Sequence, residues 1–169
     1  MIQTERLTLR AWTEADRAAY AAMNADPEVM HDFPAPLTRD ESDAKLDRYQ
    51  ANYERLGYTR WVIERREDGR FLGYAGVLPI FAGHPAGDGV EIGWRMIRAA
   101  WGFGYASEAA RAALRDGFDR IGMSEILAYT AEANARSKAV MVRLAMRREA
   151  ARDFSHPTAG PCVVYVARP

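Results

Sequence analysis

The stretch VEIGWRMIRAAWGFGYASEA, residues 90–109, constrains this chain more than any other part of it. VEIGWRMI (90–97) reads as a strand, and two glycines one residue apart, Gly102 and Gly104, follow it. An alanine-rich helix then runs to about Phe118, with Ala106, Ala110, Ala113, Leu114 and Gly117 on one face. The glycine pair admits three readings. A dinucleotide fingerprint needs a third Gly or Ala where Ser107 stands, and an acid ending the next strand, whereas Glu125 begins it. A P-loop needs Gly-Lys-Ser/Thr, which is absent. The other two readings are a tight strand-to-helix turn and an anion site, in which small side chains let a pyrophosphate reach the unpaired amides of a helix N-terminus. Spacing alone leaves those two open.

The rest of the chain supplies a sheet and its cover. Leu7, Leu9 and Ala11 alternate with polar residues as a strand does. Thr13–Asp16 and Thr38–Glu41 are capping-type helix starts. Leu46, Tyr49, Tyr53 and Leu56 then recur at helical spacing up to Gly57, a C-cap. WVIER (61–65) and FLGYAGVLPI (71–80) form a predicted hairpin, EILAYTA (125–131) a buried strand, ARSKAVMVRLAM (135–146) a helix and PCVVYVARP (161–169) a last strand. The fold class expected is α/β: a mixed sheet of six to seven strands flanked by four helices, in a single domain over 1–169.

Lys plus Arg (23) balance Asp plus Glu (23), which argues against nucleic acid as the partner. One cysteine, Cys162, and three scattered histidines offer no metal-ligand spacing, so no metal is expected. The N-terminus MIQTERLTLR lacks an apolar signal-peptide core, and no run is long enough to span a membrane; a cytoplasmic protein is expected.

Four passages in order resemble the GNAT N-acetyltransferase superfamily, in particular its RimJ/RimL-like branch. TERLTLRAWTEAD is similar to that branch's first strand and cap, and VEIGWRMIRAAWGFGYASEA to motif A. AEANARSKAVMVRLAMRRE (131–149) is similar to motif B, and DFSHP (153–157) to a C-terminal element of bacterial members. Three positions depart from the family pattern: Trp101 in place of Arg or Gln, Ala145 in place of Gly, and Met141 in place of the tyrosine thought to protonate the departing thiolate.

The resemblance implies acetyl-CoA as cosubstrate and an amine as acceptor, by direct attack on the thioester. It implies that Trp94, Met96 and Ile97 lie beside the pantetheine arm, the backbone at Met96 pairing with its amides. The amides of Gly102, Phe103, Gly104, Tyr105 and Ala106 would hold the pyrophosphate, with Trp101 and Ser107 as further cofactor contacts; Asn134 would hydrogen-bond pantetheine, and Lys138, Arg98 or Arg136 would meet phosphate oxygens. Glu91 is the expected base and Ser137 the expected acid toward sulfur; each has a structural alternative, an ion pair for Glu91 and helix capping for Ser137. A strong base matters more for a lysine side chain, about one part in 2,500 neutral at pH 7, than for an α-amine, about a tenth neutral. His31, Asp32, His84 and His156 lie in loops that can line an acceptor groove, while Tyr49 and Tyr53 read as core. The alternatives are an inactive CoA-binding module, consistent with Met141, and an acyltransferase for a longer acyl chain. Acceptor identity and the choice between monomer and homodimer stay open.

Overall fold

The longest helix starts and stops where its capping residues dictate. Thr38 accepts a hydrogen bond from the Glu41 amide (3.2 Å), and Glu41 accepts one from the Thr38 amide (2.8 Å). The helix so opened ends at Gly57, whose φ of 75° is left-handed. A computed structural model describes residues 1–169 and shows nine strands and four α-helices. In chain order they are β1 (Ile2–Gln3), β2 (Leu7–Arg10), α1 (Arg17–Ala25), α2 (Arg39–Leu56), β3 (Arg60–Arg65), β4 (Phe71–Pro79) and β5 (Val90–Met96). There follow α3 (Tyr105–Asp119), β6 (Ile126–Ala131), α4 (Ala135–Arg143), β7 (Arg147–Arg148), β8 (Phe154–His156) and β9 (Gly160–Ala167).

The mixed α/β class is as expected, with nine strands rather than six to seven. The additional ones, β1, β7 and β8, are two or three residues long, too short to carry a readable alternation. The sheet runs β1-β2-β3-β4-β5-β6-β9-β7, with β8 also paired to β9. Every neighbouring pair is antiparallel except β5–β6.

Cross-strand register sorts side chains to the two faces. Arg60 lies opposite Gly76, which lies opposite Gly93, and Tyr74 lies opposite both Val62 and Arg95. On this face α1 and α2 pack through Trp12, Tyr20, Tyr49 and Tyr74, whose rings approach to 4.8–6.1 Å. The opposite face presents Ile63, Ala75, Val77 and Ile92 to Ala109, Ala110 and Ala113 of α3. Gly117 allows α3 to pack close, since a Cβ there would fall 2.7 Å from the Ile126 side chain. Tyr49 is core, as its spacing predicts; Tyr53 is not, being 38% exposed at the end of α2 with its ring edge-on to Trp61. No helix is long and apolar enough to cross a membrane.

Candidate active site

The sheet comes apart at one place. Parallel β5 and β6 share a single register pair, Glu91 with Leu127. Beyond it the C-terminal half of β5 has no strand on that side, and a cleft of about 1390 Å³ opens between β5, the glycine loop and the start of α4.

Gly102 (φ 83°) and Gly104 (φ 80°) carry the chain from β5 to α3. A Cβ at 102 would touch nothing within 4 Å, so it is the left-handed backbone and not crowding that calls for glycine. No backbone N–H from Gly102 to Ser107 has an acceptor in the protein, and Gly104, the N-cap, provides no side-chain cap. Six consecutive free amides at the positive end of a 15-residue helix form a site for an anion. The loop is held from behind by Arg6, which donates to the Phe103 carbonyl (3.0 Å) and pairs with Glu108 (2.6 Å). Burial opposes ionisation of Glu108, but hydrogen bonds from Thr4 and Arg6 outweigh it and hold the carboxyl below its usual range.

At the other end of the cleft, the Arg60 guanidinium lies flat on the sheet over Gly93, where a Cβ would fall 2.8 Å from Nη2. It donates to the carbonyls of Gly76 and Glu91, and Nη2 lies 2.6 Å from Glu91 Oε1. Glu91 is therefore ion-paired with Arg60 through Oε1. Tyr129 shares this corner: burial, reinforced by the Glu91 charge, pushes its phenol well above the usual range, so it stays neutral.

On the α4 side, Asn134 caps the helix through Oδ1, which accepts from the Ser137 amide (2.9 Å), while Nδ2 donates to Asp32 and so ties the 31–34 loop across the cleft. Ser137 lines the cleft, and its hydroxyl makes no hydrogen bond to the protein. Arg136 stacks 4.2 Å from the Trp101 ring, and the Trp101 indole N–H donates to the Met96 carbonyl (3.1 Å). That carbonyl is thus already engaged, although the resemblance implies that it pairs with pantetheine.

Trp94, Met96, Trp101 through Ser107, Asn134, Ser137 and Glu91 all line the cleft. Ile97 and Lys138 do not. Ile97 turns into the core, and the Lys138 ammonium donates to the Glu132 carbonyl (2.6 Å) on the outside of α4. Arg98 also lies away from the cleft wall. Met141 is buried core that reaches the cleft floor. His31 and His156 border the cleft. His84 is instead buried among Phe81, Tyr129 and Phe154, where desolvation lowers its pKa and favours the neutral ring. Arg60 and Tyr129 were not legible as site residues. The available signal was the pair of strand-interior glycines, Gly76 and Gly93, which mark close approach of another group to the sheet.

An acetyltransferase (GNAT) domain family matches residues 6–147. Among curated proteins, YnaD of Bacillus subtilis (strain 168), an uncharacterised N-acetyltransferase, is 32% identical over 150 residues, covering 88% of this chain and 83% of that one. Among solved structures, the acetyltransferase of Agrobacterium tumefaciens strain C58 aligns with a TM-score of 0.86 at 27% identity, over 99% of this chain and 94% of that one. RimL, a ribosomal L7/L12 alpha-N-protein acetyltransferase in complex with coenzyme A, aligns at 0.79 over 98% and 95%; at 16% identity the likeness is one of fold.

Proposed function

The chain belongs to the GNAT acetyltransferase family, and from that premise we propose that it transfers an acetyl group from acetyl-CoA to a primary amine within the RimJ/RimL-like branch, residues 1–169 acting as one catalytic unit. The observation that carries this reading is the run of free amides from Gly102 to Ser107 at the mouth of the β5–β6 gap. Nothing in the protein satisfies them, and a pyrophosphate would. Bound acetyl-CoA supplies an activated acyl group with a thiolate as leaving group.

The chain's own residues then divide the work. The backbone from Gly102 to Ala106 holds phosphate oxygens, with Arg136 beside Trp101 as their charged partner. The open edge of β5 at Trp94 and Met96 aligns the pantetheine arm. Glu91, held in place by its ion pair with Arg60, takes the proton that the attacking amine loses, directly or through one water. Ser137, which lines the cleft with its hydroxyl unpaired, donates a proton toward the departing sulfur and regains one from solvent.

The test is release of free thiol from acetyl-CoA with a panel of amines, run on the parent protein and on Glu91→Gln. Turnover is expected to fall at least tenfold in the variant with CoA affinity retained, and to fall further for a lysine side chain than for an α-amine. Tight CoA binding without thiol release for any amine would make the protein a binding module instead.

A further inference from the structure

Helix α2 sorts its charges by face. Lys45, Arg48, Asn52 and Arg55, at helical spacing around Tyr49, line the cleft. None of the acids of α2 does; Asp43 and Asp47 turn outward, toward Arg17 (3.7 and 2.6 Å), and Asp43 also toward Arg39 (2.7 Å). The cations of the inner stripe have no carboxylate partner. Arg55 donates only to Asn52 (3.3 Å), and Lys45 and Arg48 make no hydrogen bond to the protein. Facing them from the sheet, Arg95 lies between Phe33 (4.2 Å) and Tyr74 (5.7 Å), with its one polar contact to neutral Asn24 (2.7 Å).

Across the whole cleft seven Lys and Arg side chains meet two carboxylates. Both of those are engaged, Glu91 by Arg60 and Asp32 by Asn134 and His31. Arg95 is buried and Lys45 half-buried, so holding them as unpaired cations beside the exposed Arg48 and Arg55 carries a cost. Burial, with Arg95 and Arg48 close by, pushes the Lys45 ammonium below its ordinary lysine value. An anion bound among them removes that cost.

Coenzyme A is not the natural occupant of this patch. Its pyrophosphate is already served by the glycine loop and by Arg136, whereas α2 covers the sheet face that carries Glu91. Resting on the reading of this cleft as an acetyl-CoA and amine site, we propose that the acceptor amine carries its own carboxylate or phosphate, which Lys45, Arg48, Arg55 and Arg95 hold while the amine reaches Glu91. Glu91 and Arg95 share a face four residues apart, about 13 Å of strand. Long side chains shorten that span, so the anion lies several bonds from the amine. A free acidic amino acid and a protein N-terminus followed by acidic residues both present this chemistry. Polyamines and aminoglycosides would face like charge.

The experiment uses matched probes on the full chain saturated with CoA: L-glutamate against its diamide, the peptide Ser-Glu-Glu-Ala against Ser-Gln-Gln-Ala, and spermidine. Calorimetry measures binding, and thiol release from acetyl-CoA measures turnover. Each carboxylate probe that binds is expected to bind about tenfold or more tightly than its neutral partner. Arg48→Glu and Lys45→Met are each expected to erase most of that preference without altering CoA affinity, while Arg39→Gln on the outer face leaves it intact. Equal binding within both pairs, tighter binding of spermidine, or a preference that survives both variants overturns the proposal. So does a loss of CoA affinity in Arg48→Glu, which would assign the stripe to the nucleotide. A carboxylate preference in binding with no thiol release sustains the anionic acceptor site and removes the acetyltransferase reading instead. Whichever pair shows the larger preference identifies the source, amino acid or N-terminus.

Discussion

Arg60 is 5% exposed, and everything around it serves to hold its guanidinium flat. Trp12 donates its indole N–H to the Arg60 carbonyl and fixes the backbone, and Gly93 leaves the floor bare so that the side chain can reach Glu91. A buried cation of this kind contributes little net stability, yet removing its freedom to reach its partners is costly. Gly93→Ala is therefore expected to displace the guanidinium, since a Cβ there would stand 2.8 Å from Nη2. The anticipated result is a loss of about 1–3 kcal/mol in urea denaturation. Turnover should fall with little change in CoA affinity, because the new methyl points to the Glu91 face and not along the open edge of β5. Full turnover in Gly93→Ala would show that the Arg60–Glu91 pair has no part in the chemistry. Arg60 was out of reach of sequence reading because its partners come from two other strands, β4 and β5: a lone arginine at the head of WVIER looks like any strand-end charge.

Elements were legible where their ends carry chemistry. Thr38 with Glu41 and Gly57 mark α2 to the residue, and the hairpin of β3 and β4 follows from its turn. The predicted end of α4 was wrong by three residues: the apolar spacing runs on to Met146, but the helix stops at Arg143. Its terminator is Ala145, at φ 58°, a left-handed position normally marked by glycine. The Met146 amide still reaches the Met141 carbonyl (3.1 Å), closing the turn as a glycine would. An alanine there bears the steric cost of its Cβ. Ala145→Gly is accordingly expected to stabilise the protein by about 1 kcal/mol, the relief of backbone strain exceeding the added freedom of the unfolded chain. Thermal or urea denaturation reads this directly, and a lower midpoint would mean that the alanine methyl packs usefully where it stands.

At the scale of the molecule, the sheet is two blocks, β1–β5 and β6–β9, joined along one edge by a single register pair. The motifs for the loop and for α4 were readable one by one, and their order along the chain gave the family resemblance. The gap between the blocks was not readable, because nothing local in VEIGWRMI or EILAYTA says that two strands will pair at one residue and then part. The gap is the feature that turns those motifs into a site: it leaves the edge of β5 open on the same side as the free amides from Gly102 to Ser107. A ligand that lies along this edge and ends on those amides bridges the blocks, and its binding energy is added to the folded state, about 2.7 kcal/mol at about one hundred times its Kd. CoA is therefore expected to raise the thermal midpoint and to slow hydrogen exchange in two places, the amides of Gly102–Ser107 and those of β5 facing the gap. Exchange in β2 and β3, on the far side of β4, should stay as it was. Protection spread evenly over all strands would reflect global stabilisation alone, and no slowing at Gly102–Ser107 would remove the glycine loop as the phosphate site.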